Sequence, residues 1–221
     1  MSIRLDEWKR IWSELGARTL NGGLMNQLVA AYSEPHRKYH TLAHLRDCLA
    51  HFDAARPLAR RPAEVELALW FHDAVYDPRR ADNEERSAAW AHASVLASGC
   101  TADIADRVRD LVLATQHHRA SEACPGRREA TGPGDPDTRL LVDVDLTILG
   151  TSYSRFDEYE GQVREEYAHV DDAAWREGRA RVLRAFLDRP RIYQLDVFHD
   201  VYEKRARENL QRSVDALAGG A

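Results

Sequence analysis

Imidazole and carboxylate side chains occur in three short clusters that lie far apart in the chain. In chain order these clusters hold His40 and His44, the adjacent pair His72 and Asp73, and Asp143 with Asp145. A neutral imidazole and an ionised carboxylate are good ligands for Zn²⁺, Mn²⁺ or Fe²⁺. The three clusters together therefore indicate a site for a divalent metal ion.

The apolar neighbours of these residues strengthen that interpretation. His72 and Asp73 follow the apolar run 65–71, and Asp145 interrupts the apolar run 140–149. A charged group among apolar residues needs a partner of opposite charge, a hydrogen-bond partner or a metal ion. Each feature also has a simpler interpretation. His72 and Asp73 could only mark the end of a helix, and Asp145 could be an N-cap or a salt-bridge partner. The conjunction of the three clusters favours a metal site.

Helical periodicity dominates the chain, and we predict an all-α, single-domain helical bundle over residues 1–221. Pro, Gly and capping residues separate the expected helices. A third helix from about Thr41 would place His40 and His44 on one face, and a capping box at Asp82 would open a fifth. The Gly-, Pro- and charge-rich segment at about 119–136 is predicted to be a mobile loop. The expected helices are 3–15, one beginning near 24, one near 41, 63–74, 82–99, one beginning near 101, 137–149, 153–169, 172–188 and 193–217.

Composition narrows the classes of partner. The 221 residues carry a formal net charge of −5, which argues against a general nucleic-acid binder. The first residues lack the apolar core of a signal peptide, and no run approaches the roughly 18 apolar residues that span a bilayer. We therefore expect a cytoplasmic protein with no membrane partner. The three cysteines show no disulfide or zinc-knuckle pattern, and Trp8 and Trp12 would seal either the core or a homodimer interface.

The order of the metal-ligating residues resembles the H…HD…D motif of the HD-domain superfamily. The resemblance is closest to the bacterial group of predicted HD-superfamily metal-dependent phosphohydrolases, and it extends from about residue 5 to residue 213. A bare His-Asp pair is a weak signal, whereas this ordered set of segments is specific. The segments that carry the resemblance are 39–45, 70–77, 83–88, 145–150, 164–167 and 178–179.

The resemblance implies that one divalent ion, either Mn, Zn, Fe, Co, Ni or Mg, is the cofactor. Its implied ligands are His44, His72, Asp73 and Asp145. By analogy with cyclic-nucleotide phosphodiesterases, which share the His-x-x-x-His spacing, His40 would donate a proton to the leaving oxygen. Asp73 would also orient the attacking water. Asp143 stays open as the alternative to Asp145, because residues two apart on a helix point in different directions.

Other residues are candidates for the same site. Glu84 would transfer protons, or would only supply negative charge to the first turn of a helix. His117 and His118 would bind a second metal or the substrate, or would only stabilise a helix C-terminus. Three arginines are candidate phosphate ligands because a guanidinium binds phosphate in a bidentate manner, although each could equally be solvated surface. These arginines are Arg86, Arg164 and Arg179.

The function that these features favour is hydrolysis of a phosphate ester of a small metabolite or a nucleotide by metal-activated water. One alternative is an HD-type di-iron oxygenase, which needs two further histidines. The available ones are His92, His117 and His118. The second alternative is a regulatory module that binds a nucleotide and keeps the metal for stability.

Overall fold

The computed structural model describes residues 5–20, 22–116 and 134–219, and these ranges are helical without any strand. The predicted all-α fold is therefore confirmed. Short 3₁₀ helices at Arg56–Leu58 and Leu146–Gly150 accompany the α-helices. The α-helices are α1 Leu5–Glu14, α2 Leu24–Ala31, α3 Leu42–Ala55, α4 Pro62–Phe71, α5 Asn83–Ala97, α6 Ala102–Leu113, α7 Pro136–Asp145, α8 Tyr153–Glu166, α9 Asp172–Leu187 and α10 Asp196–Gly219.

Contacts along the chain group the residues into two compact units, Met1–Val144 and Asp145–Ala221. The boundary falls one residue before the end of α7, so Asp145 is the last residue of a helix whose other residues belong to the first unit. The single-domain organisation of residues 1–221 stays a prediction. The loop predicted at about 119–136 lies almost entirely outside the described residues. Among the described helices, none has both the length and the apolar character needed to cross a bilayer.

Helix α4 is the centre of the first unit. Every residue from Ala63 to Phe71 is buried, and α4 contacts α1, α3, α5 and α6. Two of its buried residues are acids, and each is neutralised from another element. Arg107 donates to Glu64 at 2.6 and 2.7 Å, while Arg10 and Arg56 both donate to Glu66. Because an unpaired buried carboxylate is costly, these ion pairs hold α4 in one position in the core.

The starts of α3 and α5 are fixed in different ways. Thr41 caps α3, because its hydroxyl oxygen accepts a hydrogen bond from the backbone N–H of Ala43 at 3.2 Å. The predicted cap of α5 is only half right. Asp82 occupies the N-cap position, but its side chain makes no capping bond and instead pairs with Arg80 at 2.6 Å. A guanidinium two residues away competes successfully for this carboxylate.

The second unit is built on α10, which packs against α9 and the 3₁₀ helix Leu146–Gly150. Gly150 permits this approach, because a Cβ at this position would lie 2.6 Å from the Cβ of Tyr202. Asn209 in α10 donates to the carbonyl oxygens of Leu149 and Thr151 at 2.8 and 3.0 Å. The buried turn after Asp145 is therefore fixed by polar contacts as well as by close packing.

Candidate metal centre

Two helix ends of the first unit bring the predicted metal ligands together. His44 lies in the first turn of α3, where it is buried. His72 is the C-cap of α4, and Asp73 follows it directly. The helix predicted to run to Ala74 ends at Phe71, so His72 and Asp73 leave the helix and face α3.

The side chains of His44, His72 and Asp73 converge. The two Nε2 atoms of His44 and His72 lie 3.0 Å apart. Oδ2 of Asp73 lies 3.0 Å from Nε2 of His72 and 3.4 Å from Nε2 of His44. Nitrogen ligands about 2.0–2.1 Å from one ion would be separated by roughly 2.9–3.4 Å, depending on the angle at the ion. The three atoms are therefore spaced as ligands of one ion are.

A backbone carbonyl fixes the orientation of His72. Its Nδ1 lies 2.7 Å from the carbonyl oxygen of Leu69, which can only accept a hydrogen bond. In the neutral ring the proton therefore belongs on Nδ1, which leaves the lone pair of Nε2 for an ion bound between His72, His44 and Asp73; with a proton on Nε2 instead, the ring donates to Asp73. Metal-binding histidines typically have this outer hydrogen bond, because it sets both the tautomer and the angle of the ring.

The two histidines also belong to a second set of donors, which contains Cys48 and Asp145 but not Asp73. One ligand atom from each of His44, Cys48, His72 and Asp145 can be chosen so that all four lie within 4.8 Å of one another, and all four residues are buried. Asp145 belongs to this group, whereas Asp143 is fully buried and is not a member of it. Which aspartate binds the ion stays a prediction. Cys48 was not predicted. It lies one helical turn after His44 on α3, and that i, i+4 spacing was the signal that could have revealed it.

The charge state of Asp73 suits a metal ligand. Burial alone would raise the pKa of its carboxyl group, but the His72 and His40 imidazoles and hydrogen bonds from His44 and His72 hold that pKa well below its usual value. The side chain of Asp73 remains 18% exposed, whereas those of His44 and His72 are 4% and 1% exposed. Asp73 therefore offers an ionised oxygen on the more accessible side of the group.

His40 lies beside this group but outside it. It precedes α3, in the turn before Thr41, so the prediction that His40 and His44 share one helical face is wrong. The cause is the Thr41 cap, because a capping residue ends the helix that would otherwise have included His40. The His40 ring stacks on Tyr76 with centroids 4.1 Å apart, and its centroid is 6.0 Å from that of His44. His40 is half-buried, as a group that meets substrate needs to be.

Arg37, which the sequence did not single out, joins the two histidine segments. Its buried guanidinium donates to the carbonyl oxygen of His40 at 3.1 Å, of Asp73 at 2.7 Å and of Ala74 at 3.1 Å. The guanidinium also lies 5.3 Å and 5.4 Å from the ring centroids of Tyr32 and Tyr76. These acceptors are backbone carbonyl oxygens, which every residue has, so the sequence gives no sign that Arg37 binds them.

Tyr32 contacts the backbone of the site at Asp73. Its hydroxyl accepts a hydrogen bond from the backbone N–H of Asp73 at 3.3 Å. Burial raises the pKa of Tyr32 to about 12, so the phenol stays protonated at neutral pH. Arg37 and Tyr32 together hold the backbone at Asp73, and both are positioning residues.

The remaining candidates lie in varied surroundings. Glu84 is partly buried in the first turn of α5, and Arg86 is exposed in the same helix. His92 lies 3.3 Å from Asp106, an ion-pair distance, and His117 and His118 lie outside the described residues.

In the second unit, the two candidate arginines already have protein partners. Arg164 donates to the carbonyl oxygens of Tyr167 and Val170 and to the carboxylate of Asp172. Arg179 donates to Tyr159 at 2.8 Å and pairs with Glu160. Each guanidinium would have to exchange some of these bonds to hold a phosphate.

No protein-family model matches the chain, and neither a curated protein nor a solved structure matches it. The chemistry of the site therefore has to be inferred from its own side chains. Two imidazoles, a thiol and carboxylates form a donor set suited to a divalent transition metal or Zn²⁺.

Proposed function

We propose that the protein is a metal-dependent phosphoric ester hydrolase of the HD superfamily that acts on a small phosphorylated metabolite or a nucleotide. The observation that carries the proposal is the convergence of His44, His72 and Asp73, with Nε2–Nε2 and Nε2–Oδ2 distances of 3.0 Å. These are the residues of the motif H…HD, and Asp145 belongs to the same buried group. Structure and motif thus support one site.

Each residue has a distinct task in this proposal. His44, His72, Asp73 and Asp145 would hold the ion, which when bound would supply Lewis acidity toward a phosphoryl oxygen and acidify a neighbouring water. Asp73, ionised and more accessible than the histidines, would orient that water. When His72 is neutral with its proton on Nδ1, beside the carbonyl oxygen of Leu69, its Nε2 is available to the ion.

His40 is proposed to protonate the departing alkoxide. Its stacking on Tyr76 fixes the plane of the ring, and its turn is anchored by Arg37 through the His40 carbonyl oxygen. General acid–base catalysis of this kind typically contributes about 10²–10⁴-fold to the rate. Glu84 and the three arginines Arg86, Arg164 and Arg179 stay as candidate proton-transfer and phosphate-binding residues.

The test is a panel of chromogenic phosphomonoesters and phosphodiesters, together with nucleotides, assayed with Mn²⁺, Co²⁺, Ni²⁺, Zn²⁺ and Mg²⁺. Wild-type protein should turn over at least one substrate with one bound ion per chain. Asp73→Ala should lose both the ion and the turnover. His51→Ala is the matched control, because His51 lies on α3 two turns after His44 and outside the ligand group; it should retain both.

Three results would contradict the proposal. Full turnover by Asp73→Ala would mean that hydrolysis does not take place at the metal site that contains Asp73. Two irons per chain together with oxygen consumption would instead indicate a di-iron oxygenase. Inactivity on every substrate and ion, together with tight binding of one nucleotide, would indicate a regulatory module that retains the metal for stability.

A further inference from the structure

Cys48 is a buried thiol that the proposed reaction does not use. It is 2% exposed and lies four residues after His44 on α3, so both side chains emerge from the same face of the helix. Its sulfur belongs to the group of ligand atoms that lie within 4.8 Å of one another. A buried cysteine is often only a small apolar residue, and its distances to the other ligands decide between the two roles.

One of those distances is close to a coordination value. Sγ of Cys48 lies 3.7 Å from both ring nitrogens of His44, and one of these nitrogens, Nε2, also faces His72. With metal–sulfur and metal–nitrogen bonds of about 2.3 and 2.0 Å, a tetrahedral angle places sulfur and nitrogen roughly 3.5 Å apart. The sulfur–Nε2 separation is thus within a few tenths of an ångström of the coordination value, and a rotation of the two side chains that brings Sγ to the Nε2 side of the ring would let both share an ion.

We propose that Cys48 is a thiolate ligand of the metal ion and that it makes the centre selective for thiophilic ions. This inference rests on the metal centre of the proposed function and concerns which ion that centre keeps. Binding transfers the thiol proton to solvent as the metal–sulfur bond forms. A thiolate beside two imidazoles favours Zn²⁺, Co²⁺ or Fe²⁺, whereas Mn²⁺ and Mg²⁺ favour oxygen ligands.

The experiment uses the full chain, stripped of metal under reducing conditions and titrated with Co²⁺. We expect one Co²⁺ per chain and a sulfur-to-cobalt charge-transfer band in the near ultraviolet. Cys48→Ser should bind Co²⁺ without that band. Cys100→Ser is the matched control, because Cys100 is also a buried free cysteine but lies outside the ligand group. Cys124→Ser is a second control, and both controls should keep the band.

A second measurement compares ions. Competition titrations should show that Cys48→Ser weakens Zn²⁺ binding by about tenfold or more, while Mn²⁺ binding changes by less than about threefold. Circular dichroism of each variant verifies that it is folded.

The possible outcomes separate the two proposals. Stoichiometric Co²⁺ binding to the wild type without the band overturns the role of Cys48 and leaves the hydrolase proposal standing. A band that persists in Cys48→Ser, or equal loss of Zn²⁺ and Mn²⁺ binding, also overturns it. A band without any phosphatase activity supports Cys48 as a ligand while contradicting the hydrolase. Failure of the wild type to bind any Co²⁺ overturns both proposals.

Discussion

His40 and His44 differ in surroundings although only three residues separate them. His44 is buried within the ligand group, whereas His40 lies in the turn before α3 with its ring against Tyr76. The analogy with phosphodiesterases that share the His-x-x-x-His spacing implied that the two would act at one site. The Thr41 cap explains why only His44 belongs to the helix, and the proposed role of His40 is one other than binding the ion.

Replacement of His40 tests that role at the level of one side chain. His40→Ala should keep one metal per chain and lose about 10²–10⁴-fold in kcat on an alkyl phosphate. The loss should be much smaller on a 4-nitrophenyl phosphate, because a nitrophenolate departs without needing a proton. Steady-state kinetics on both substrates, with metal content measured on the same samples, would check this. Equal losses on the two substrates would show that His40 does not protonate the leaving group.

Sequence analysis missed two kinds of side chain: one that binds backbone atoms, and one that lies near the other ligands only in the folded chain. The resemblance to the H…HD…D motif predicted four ligands, His44, His72, Asp73 and Asp145, and the two histidines lie close to both aspartates. Cys48 was not predicted, although it stands at i+4 from His44, because that spacing alone does not distinguish a ligand from a buried apolar cysteine. Arg37 was not, because its three carbonyl acceptors could belong to any residue type.

At the scale of elements, a central helix was the most predictable feature. The segment 65–71, in which Glu66 is the one charged residue, is apolar enough to predict that α4 would be buried, and every residue from Ala63 to Phe71 is. Helix ends were less predictable, because they depend on competition among nearby polar groups. Thr41 capped its helix as its position indicated, whereas the carboxylate of Asp82 pairs with Arg80.

The two segments that carry the histidines depend on each other through Arg37. One segment is the turn before α3, and the other is the turn after α4. Arg37 donates to the carbonyl oxygens of both segments while its side chain is completely buried. Removal of the guanidinium would leave these acceptors without their donor, and each such acceptor costs about 1–3 kcal/mol.

Arg37→Ala should therefore lower the free energy of unfolding by about 3 kcal/mol or more. It should also weaken metal binding by about tenfold under conditions where the variant is fully folded, because Asp73 and His72 lose their fixed backbone. Urea denaturation and Co²⁺ titration measure the two effects. Arg46→Ala is the control, since Arg46 is exposed on α3. A variant that is destabilised but binds Co²⁺ as tightly as the wild type would mean that Arg37 does not position the ligands.

At the scale of the whole molecule, an ion at the candidate metal centre would couple ligand binding to folding. Its ligands come from α3, the end of α4 and the last residue of α7, so an unfolded chain has no preformed site. The chain as a whole carries a net charge of −5, yet the group concentrates imidazoles around a buried carboxylate. Binding of the ion therefore stabilises the folded chain in proportion to its concentration relative to Kd.

This coupling predicts a metal-dependent rise in thermal stability. Zn²⁺ at one hundred times its Kd should stabilise the fold by about 2.7 kcal/mol, which corresponds to a rise in Tm of roughly 5–10 °C. Tryptophan fluorescence suits the measurement, because four of the five tryptophans, Trp8, Trp12, Trp70 and Trp90, belong to the first unit. His72→Ala should abolish the rise, and His40→Ala should keep it because His40 is not a ligand. An undiminished rise in His72→Ala would mean that the ion binds at another site, since a ligand cannot be removed from the true centre without loss of affinity.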